Sequence, residues 1–172
     1  KNVLWFTSEV KMKLIIIRHA KTYANEKHLY CGSTDIPLCE NGVSELLQKK
    51  NLYNYPSIQG MNIITSGMLR CEQTLSLLYG DLPHIINKNL KELDFGLFEM
   101  HSYEELKNNS QYIEWINGDN EANIAPYGES GNIMKVRVLL SLKEIIATKT
   151  DTLIVTHGGV IATIMEYLFP EE

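Results

Sequence analysis

The chain has 172 residues, of which 44% are hydrophobic, 22% charged and 9% aromatic. Those fractions exclude disorder, collagen and coiled coil, and about 68–70% of the unfolded surface can be buried at this length, enough for one core. With 21 acidic against 16 basic side chains the formal net charge is −5, so no basic field exists to draw in nucleic acid or an anionic membrane.

Residues 1–11 (KNVLWFTSEVK) precede Met12. The apolar stretch at 3–6 is too short for a signal-peptide core, and no small-residue cleavage site follows. Residues 1–11 are therefore expected to be a leader, either a cloning remnant or an upstream extension, with one domain over 12–172. Residues 14–17 are apolar and mostly β-branched, which predicts a strand buried on both faces of a parallel sheet. A loop with Gly32, Asp35 and Pro37 follows. Asn41-Gly42 opens a predicted helix to about Lys50, with Val43, Leu46 and Leu47 at helical spacing.

Beyond a turn-rich connector, residues 62–65 predict a second strand. Ser66 is expected to cap a helix carrying Leu69, Leu75, Leu77 and Leu78. Residues 83–86 predict a short third strand, 90–100 a loop, and 103–115 one or two short helices. A long amphipathic helix is expected over 131–147, its apolar set including Ile133, Val136, Leu140 and Ile145. Residues 152–156 predict a fourth strand, and His157-Gly158-Gly159 lead into a last helix through Tyr167. This alternation implies an α/β fold: a single three-layer domain with a mostly parallel central sheet flanked by helices.

The three cysteines, Cys31, Cys39 and Cys71, form no C-x-x-C and no disulfide framework, which points to a reducing, cytoplasmic setting. No apolar run approaches the length of a membrane span.

Ligands of open α/β sheets bind beyond the carboxyl ends of the strands. Three predicted strands end in polar groups: Arg18-His19, Thr65-Ser66 with Arg70 one turn further on, and His157-Gly158-Gly159. The chain contains only three arginines, Arg18, Arg70 and Arg137, and arginine is the side chain whose planar fork grips oxyanions. Each residue alone is more often structural or solvated. Together, two imidazoles and two guanidiniums on one sheet edge would form a cationic cluster that is costly to desolvate and that a bound anion would offset. The first turns of the following helices add free N–H groups for the same anion.

These motifs resemble those of the histidine phosphatase superfamily, in its phosphoglycerate-mutase-like branch. L-I-I-I-R-H-A-K-T-x-x-N (14–25) is similar to the R-H-G-x-T-x-x-N signature, and G-S-T-D-I-P-L-C-E-N-G (32–42) to G-x-x-D-x-P-L-x-x-x-G. S-G-M-L-R-C-E-Q-T (66–74) resembles S-x-x-x-R-x-x-Q-T, L-K-E-L-D-F-G (90–96) resembles L-x-E-x-x-F-G, and G-E-S (128–130) and H-G-G (157–159) are also present. The resemblance spans about residues 13–167. It implies the phosphoglycerate-mutase-like fold and a metal-independent phosphomonoesterase without a cofactor.

By the same resemblance His19 is the nucleophile that forms a phosphohistidine. Arg18, Arg70 and His157 clamp the phosphoryl oxygens, where catalysis rests on positioning and charge. Asn25 is a neutral donor and Gly158 offers a backbone N–H. Glu92 is the general acid, and Cys31 and Gly32 lean over the substrate. Thr22 and Ser130 are expected to fix loops, and Arg137 to be structural or paired with a carboxylate. Attack requires a neutral imidazole, which neighbouring cations favour.

Family mutases place an Arg after the acid, where this chain has Leu93, and an Asn after H-G, where it has Gly159; residues 97–127 contain no Arg. Water should therefore win over retention of a doubly charged intermediate. The expected partner is a small phosphorylated metabolite such as α-ribazole 5′-phosphate, a sugar phosphate or a nucleotide monophosphate, acted on by a monomer or homodimer. The alternatives are a broad-specificity acid phosphatase, a mutase-type phosphotransferase and a catalytically silent phospho-ligand sensor. Phe98-Glu99-Met100 stands where W-E-G is usual, so the loop near Glu92 is expected to differ in shape.

Overall fold

Four short apolar runs build the sheet of the computed structural model, which describes residues 12–119 and 121–170; the expected leader over 1–11 lies outside the described residues. The strands are β1 (Leu14–Arg18), β2 (Asn62–Thr65), β3 (Ile85–Ile86) and β4 (Thr152–Thr156). All pair in parallel, in the order β1-β4-β2-β3. Parallel neighbours need crossovers, and helices supply them. Strand β3 is shorter than residues 83–86 suggested. Pro83 has no N–H for a ladder, and Ile85 and Ile86 are exposed, the short form in which edge strands are tolerated.

The helices are α1 (Tyr23–Glu26), α2 (Glu40–Leu52), α3 (Leu69–Tyr79), α4 (Tyr103–Leu106), α5 (Ser110–Asn117), α6 (Gly131–Ala147) and α7 (Gly158–Leu168). Successive strand residues face opposite sides, so a strand covered on both faces must be apolar throughout. Leu14, Ile16, Ile64 and Ile154 meet Val138 and Leu142 of α6 and Val160 and Ile164 of α7. Ile15, Ile17, Ile63, Leu153 and Val155 meet Cys71, Leu75 and Tyr79 of α3, and α2 lies on α3. The three layers are those the alternation implied. Each Leu or Ile buried this way contributes about 1.5–3 kcal/mol.

Local chemistry explains where the elements differ from expectation. Helix α1 carries no apolar period; a capping box between Thr22 and Asn25 makes it. Ser66 does not cap α3. Gly67, at φ 77°, and the extended Met68 intervene, and the helix begins at Leu69 without a side-chain cap. Ser130 does cap α6, accepting from the Ile133 N–H at 3.3 Å. A 3₁₀ turn, Lys88–Leu90, leads into the loop expected over 90–100, and a second, Gly96–Phe98, lies within it.

A second, aromatic core of Phe98, Leu106, Tyr112, Trp115 and Ala125 packs against Tyr30 and Phe95. Tyr30 is tied to this segment through its backbone, donating to the His101 carbonyl at 3.0 Å and accepting from the Met100 N–H at 2.7 Å. Met100 sits at φ 61°, the left-handed region that glycine enters without strain. Met100, standing where the resembled W-E-G pattern has Gly, is thus held in a glycine-like conformation. Among the described residues no helix is long and apolar enough to cross a membrane.

Candidate active site

Arg18 pairs with Thr156 in the β1–β4 register, and the His19 N–H donates to the Thr156 carbonyl at 2.9 Å. The next residues on two adjacent strands are therefore His19 and His157, and their ring centroids lie 5.1 Å apart. Nδ1 of His19 lies 2.7 Å from the Ala20 carbonyl oxygen. A carbonyl only accepts, so Nδ1 carries the hydrogen and Nε2 keeps the lone pair of a neutral ring. Burial, with the nearby Arg70 and Arg18 charges, lowers the His19 pKa to about 4.

His157 is fully buried. Arg70 donates from Nε to His157 Nδ1 at 3.3 Å, and His157 Nε2 lies 2.9 Å from Ser66 Oγ and 3.5 Å from Cys71 Sγ. Since a guanidinium only donates, Nδ1 holds the lone pair and Nε2–H donates to Ser66. Burial first, then Arg70 and His19, push the His157 pKa down to about 2. For His19 this is the neutral ring that attack requires; for His157 it corrects the expectation of an imidazole that adds charge to the cluster. Neither imidazole is charged at neutral pH, and the positive charge is that of the guanidiniums alone.

Arg70 is 1% exposed. Its remaining nitrogens donate to the Thr34 carbonyl at 2.9 Å and the Gly32 carbonyl at 2.7 Å. No carboxylate comes within ion-pair distance of it among the described residues. A buried charge neutralised only by dipoles favours an anion. Arg18 is exposed, and its guanidinium lies over Gly158, so that a Cβ built there would stand 3.4 Å from Arg18 Cζ. Gly158 is the first residue of α7, where backbone N–H groups have no intrahelical partner.

The next N–H, that of Gly159, donates to Glu92 Oε2 at 3.0 Å, and Glu92 Oε1 accepts from Leu93 N at 3.0 Å. A Cβ on Gly159 would lie 2.4 Å from Glu92 Oε1, so this seat for the carboxylate requires glycine. Asn25 Oδ1 accepts from the Thr22 N–H at 2.9 Å and from its hydroxyl at 3.0 Å. These two bonds fix the amide through its oxygen and leave Nδ2 as its donor. A cavity of about 520 Å³ beside it is lined by Arg18, His19, Ala20, Asn25 and His28. A larger one of about 710 Å³, between Val43 and His84, holds none of these side chains.

Cys31 is half-buried, its thiol 3.6 Å from the Thr34 carbonyl, and burial raises its pKa. Both polar groups of Gly32 are engaged within the protein, the carbonyl by Arg70 and the N–H by Glu99 at 3.0 Å. A Cβ at Gly32 would lie 1.5 Å from the Leu93 carbonyl oxygen, so the loop crosses the Glu92 segment at contact distance.

Three residues in this neighbourhood were not anticipated in these roles. Glu99 accepts from the N–H groups of Gly32, Ser33, Thr34 and Phe95. Ser66 accepts from His157 Nε2–H at 2.9 Å. Arg137 pairs with the Glu129 carboxylate, as expected for it, and beyond that expectation also bonds to the backbone around Glu92. The signals were faint: an acid inside an aromatic stretch, a hydroxyl at a strand end, and a scarce arginine on an otherwise ordinary helix.

The chain matches the histidine phosphatase superfamily (branch 1) over residues 14–172. It is 29% identical over 166 residues to the adenosylcobalamin/alpha-ribazole phosphatase of Escherichia coli K12, covering 91% of this chain and 79% of that protein. It is 28% identical over 178 residues to the 2,3-bisphosphoglycerate-dependent phosphoglycerate mutase of Xanthobacter autotrophicus, covering 92% and 83%. The crystal structure of the alpha-ribazole phosphatase from Shigella flexneri superposes with a TM-score of 0.81 at 28% identity, covering 91% of this chain and 79% of that one.

Proposed function

The chain belongs to the histidine phosphatase superfamily, and from that premise we propose that it hydrolyses small phosphomonoesters through a phosphohistidine on His19. The observation that carries this reading is the His19 ring, neutral, with its Nε2 lone pair free beside two guanidiniums.

In this mechanism the phosphoryl group sits between Arg18, Arg70, the Gly158 N–H and Asn25 Nδ2. These groups stabilise charge on the equatorial oxygens. His157 is neutral and acts by orienting Arg70 through Nδ1 and by backing the His19 ring. His19 Nε2 attacks phosphorus as the ester P–O bond breaks, and Glu92 gives its proton to the leaving oxygen. Water then attacks the phosphohistidine. Glu92 takes back a proton, the P–N bond breaks, and inorganic phosphate leaves with the His19 lone pair restored. No step calls on a metal or a cofactor. Cys31 and Gly32 lie on the loop that crosses the Glu92 segment; Gly32 serves through its backbone and Cys31 as a wall facing the substrate.

Hydrolysis is favoured over a mutase reaction by Gly159 and Leu93, the positions where family mutases carry Asn and Arg, and by the absence of Arg from residues 97–127. The alpha-ribazole phosphatase relatives support α-ribazole 5′-phosphate as a substrate; sugar phosphates and nucleoside monophosphates fit the same site. A panel of these esters with 3-phosphoglycerate tests the reading. Release of inorganic phosphate from at least one ester, without isomerisation of 3-phosphoglycerate, is expected. Isomerisation outpacing hydrolysis would overturn it.

A further inference from the structure

We infer that Arg137 is a positioning residue for proton delivery by Glu92, an inference that rests on the assignment of Glu92 as the acid. Arg137 lies in the second turn of α6. Its Nη1 donates to the Asn89 and Lys91 carbonyls, each at 2.7 Å, and Nη2 donates to the Glu92 carbonyl at 2.9 Å. The carbonyl between them, that of Leu90, accepts from Thr156 Oγ1 at 2.7 Å. Every carbonyl from Asn89 to Glu92 is thereby held by a side chain.

The second half of the grip comes from Glu129. Its carboxylate pairs with Arg137 through both oxygens and accepts from the Asp94 N–H at 3.2 Å. The backbone is thus fixed on both sides of Glu92. Three carbonyls turned toward one point repel each other unless donors are supplied, and a guanidinium offers several in a fixed plane where an ammonium offers a single centre. Both side chains of the pair are largely buried, so solvent does little to loosen the bond.

Held this way, the Glu92 side chain leaves its backbone along one direction and reaches the Gly159 N–H at the start of α7. Arg137 makes no hydrogen bond to His19, Arg18 or Arg70 among the described residues. Its loss should therefore spare phosphate binding and attack, and weaken only the protonation of the leaving oxygen. A positioned acid is worth about 10²–10⁴-fold, and displacement by a fraction of an ångström forfeits part of that.

The test compares kcat/KM, which reports the first phosphoryl transfer, on p-nitrophenyl phosphate and on glycerol phosphate. A nitrophenolate leaves without a proton, whereas an alkoxide does not. The full chain is used with Glu92→Gln, Arg137→Gln and Glu129→Gln. Glu92→Gln should lose about 100-fold or more on the alkyl ester and only a few-fold on the aryl ester. Arg137→Gln should show the same selective loss at roughly tenfold, and Glu129→Gln, which keeps shape and removes charge, a smaller one in the same direction. Equal losses on both esters for the Arg137 and Glu129 variants, with Glu92→Gln still selective, would overturn the inference alone. A Glu92→Gln variant without selectivity would overturn the acid assignment itself. Should Arg137→Gln fail to fold, Glu129→Gln against Glu92→Gln decides by the same comparison.

Discussion

Arg70 Nε donates to His157 Nδ1 at 3.3 Å, and that one hydrogen bond decides where the charge of the site resides. It makes the second histidine an acceptor and therefore a neutral ring. The anion-binding power of the pocket then falls on Arg70, Arg18 and the first turn of α7. Of these Arg70 is the one that is buried, held by two carbonyls and an imidazole.

A buried guanidinium without a carboxylate should gain from a bound anion. Inorganic phosphate at about 100 times its dissociation constant is expected to stabilise the protein by about 2.7 kcal/mol, a rise in Tm of roughly 5–10 °C for a chain of this size. Arg70→Lys should abolish most of that rise, since one ammonium cannot replace three directed donors. Thermal melts with and without phosphate check this. An undiminished shift in the lysine variant would place the anion elsewhere.

The two neutral histidines make stability depend on pH. Both folded-state pKa values, about 4 for His19 and about 2 for His157, lie below the ordinary 6.5. Above pH 6.5 neither state binds a proton at these sites and stability is fully present. As the pH falls from 6.5 toward 4, the unfolded chain takes up two protons that the folded chain refuses, so stability declines. Urea denaturation at about pH 5.5 should give an unfolding free energy lower by about 2–3 kcal/mol than at about pH 7. A His19→Gln, His157→Gln double variant should lose most of this dependence; an equal slope in the variant would assign it to other groups.

The seat of Glu92 depends on the missing side chain at Gly159. A methyl group there would lie 2.4 Å from Oε1 and must push the carboxylate off the α7 N-terminus. Gly159→Ala is expected to lower kcat on an alkyl phosphate by about 10- to 100-fold, the scale of a misplaced acid, with KM little changed. A variant with wild-type kcat would show that this contact is not the working position of Glu92.

Much of this arrangement was legible in the sequence, and the parts that were not share a cause. The strands announced themselves because residues buried on both faces must be apolar throughout, as Ile15, Ile16 and Ile17 are. The positions of Arg18, His19, Arg70 and His157 followed from strand ends, since a parallel sheet delivers such ends to one edge. What stayed hidden were bonds between residues remote in sequence. Glu99 reaches Gly32 across 67 positions and Arg137 reaches Glu92 across 45, and neither pairing leaves a local pattern. The charge state of His157 was misjudged for the same reason. It depends on Arg70 and Ser66, 87 and 91 positions away, and on burial that no short window displays. Helix α1 was missed because its stabilisation lies in one capping box.

The most direct measurement is capture of the covalent intermediate. Enzyme mixed with a ³²P-labelled phosphomonoester and quenched in alkali should retain protein-bound label that is released by acid. Peptide mapping should place it on His19, and His19→Ala should carry none and turn over no substrate. Label on another residue, or full turnover by His19→Ala, would contradict the account.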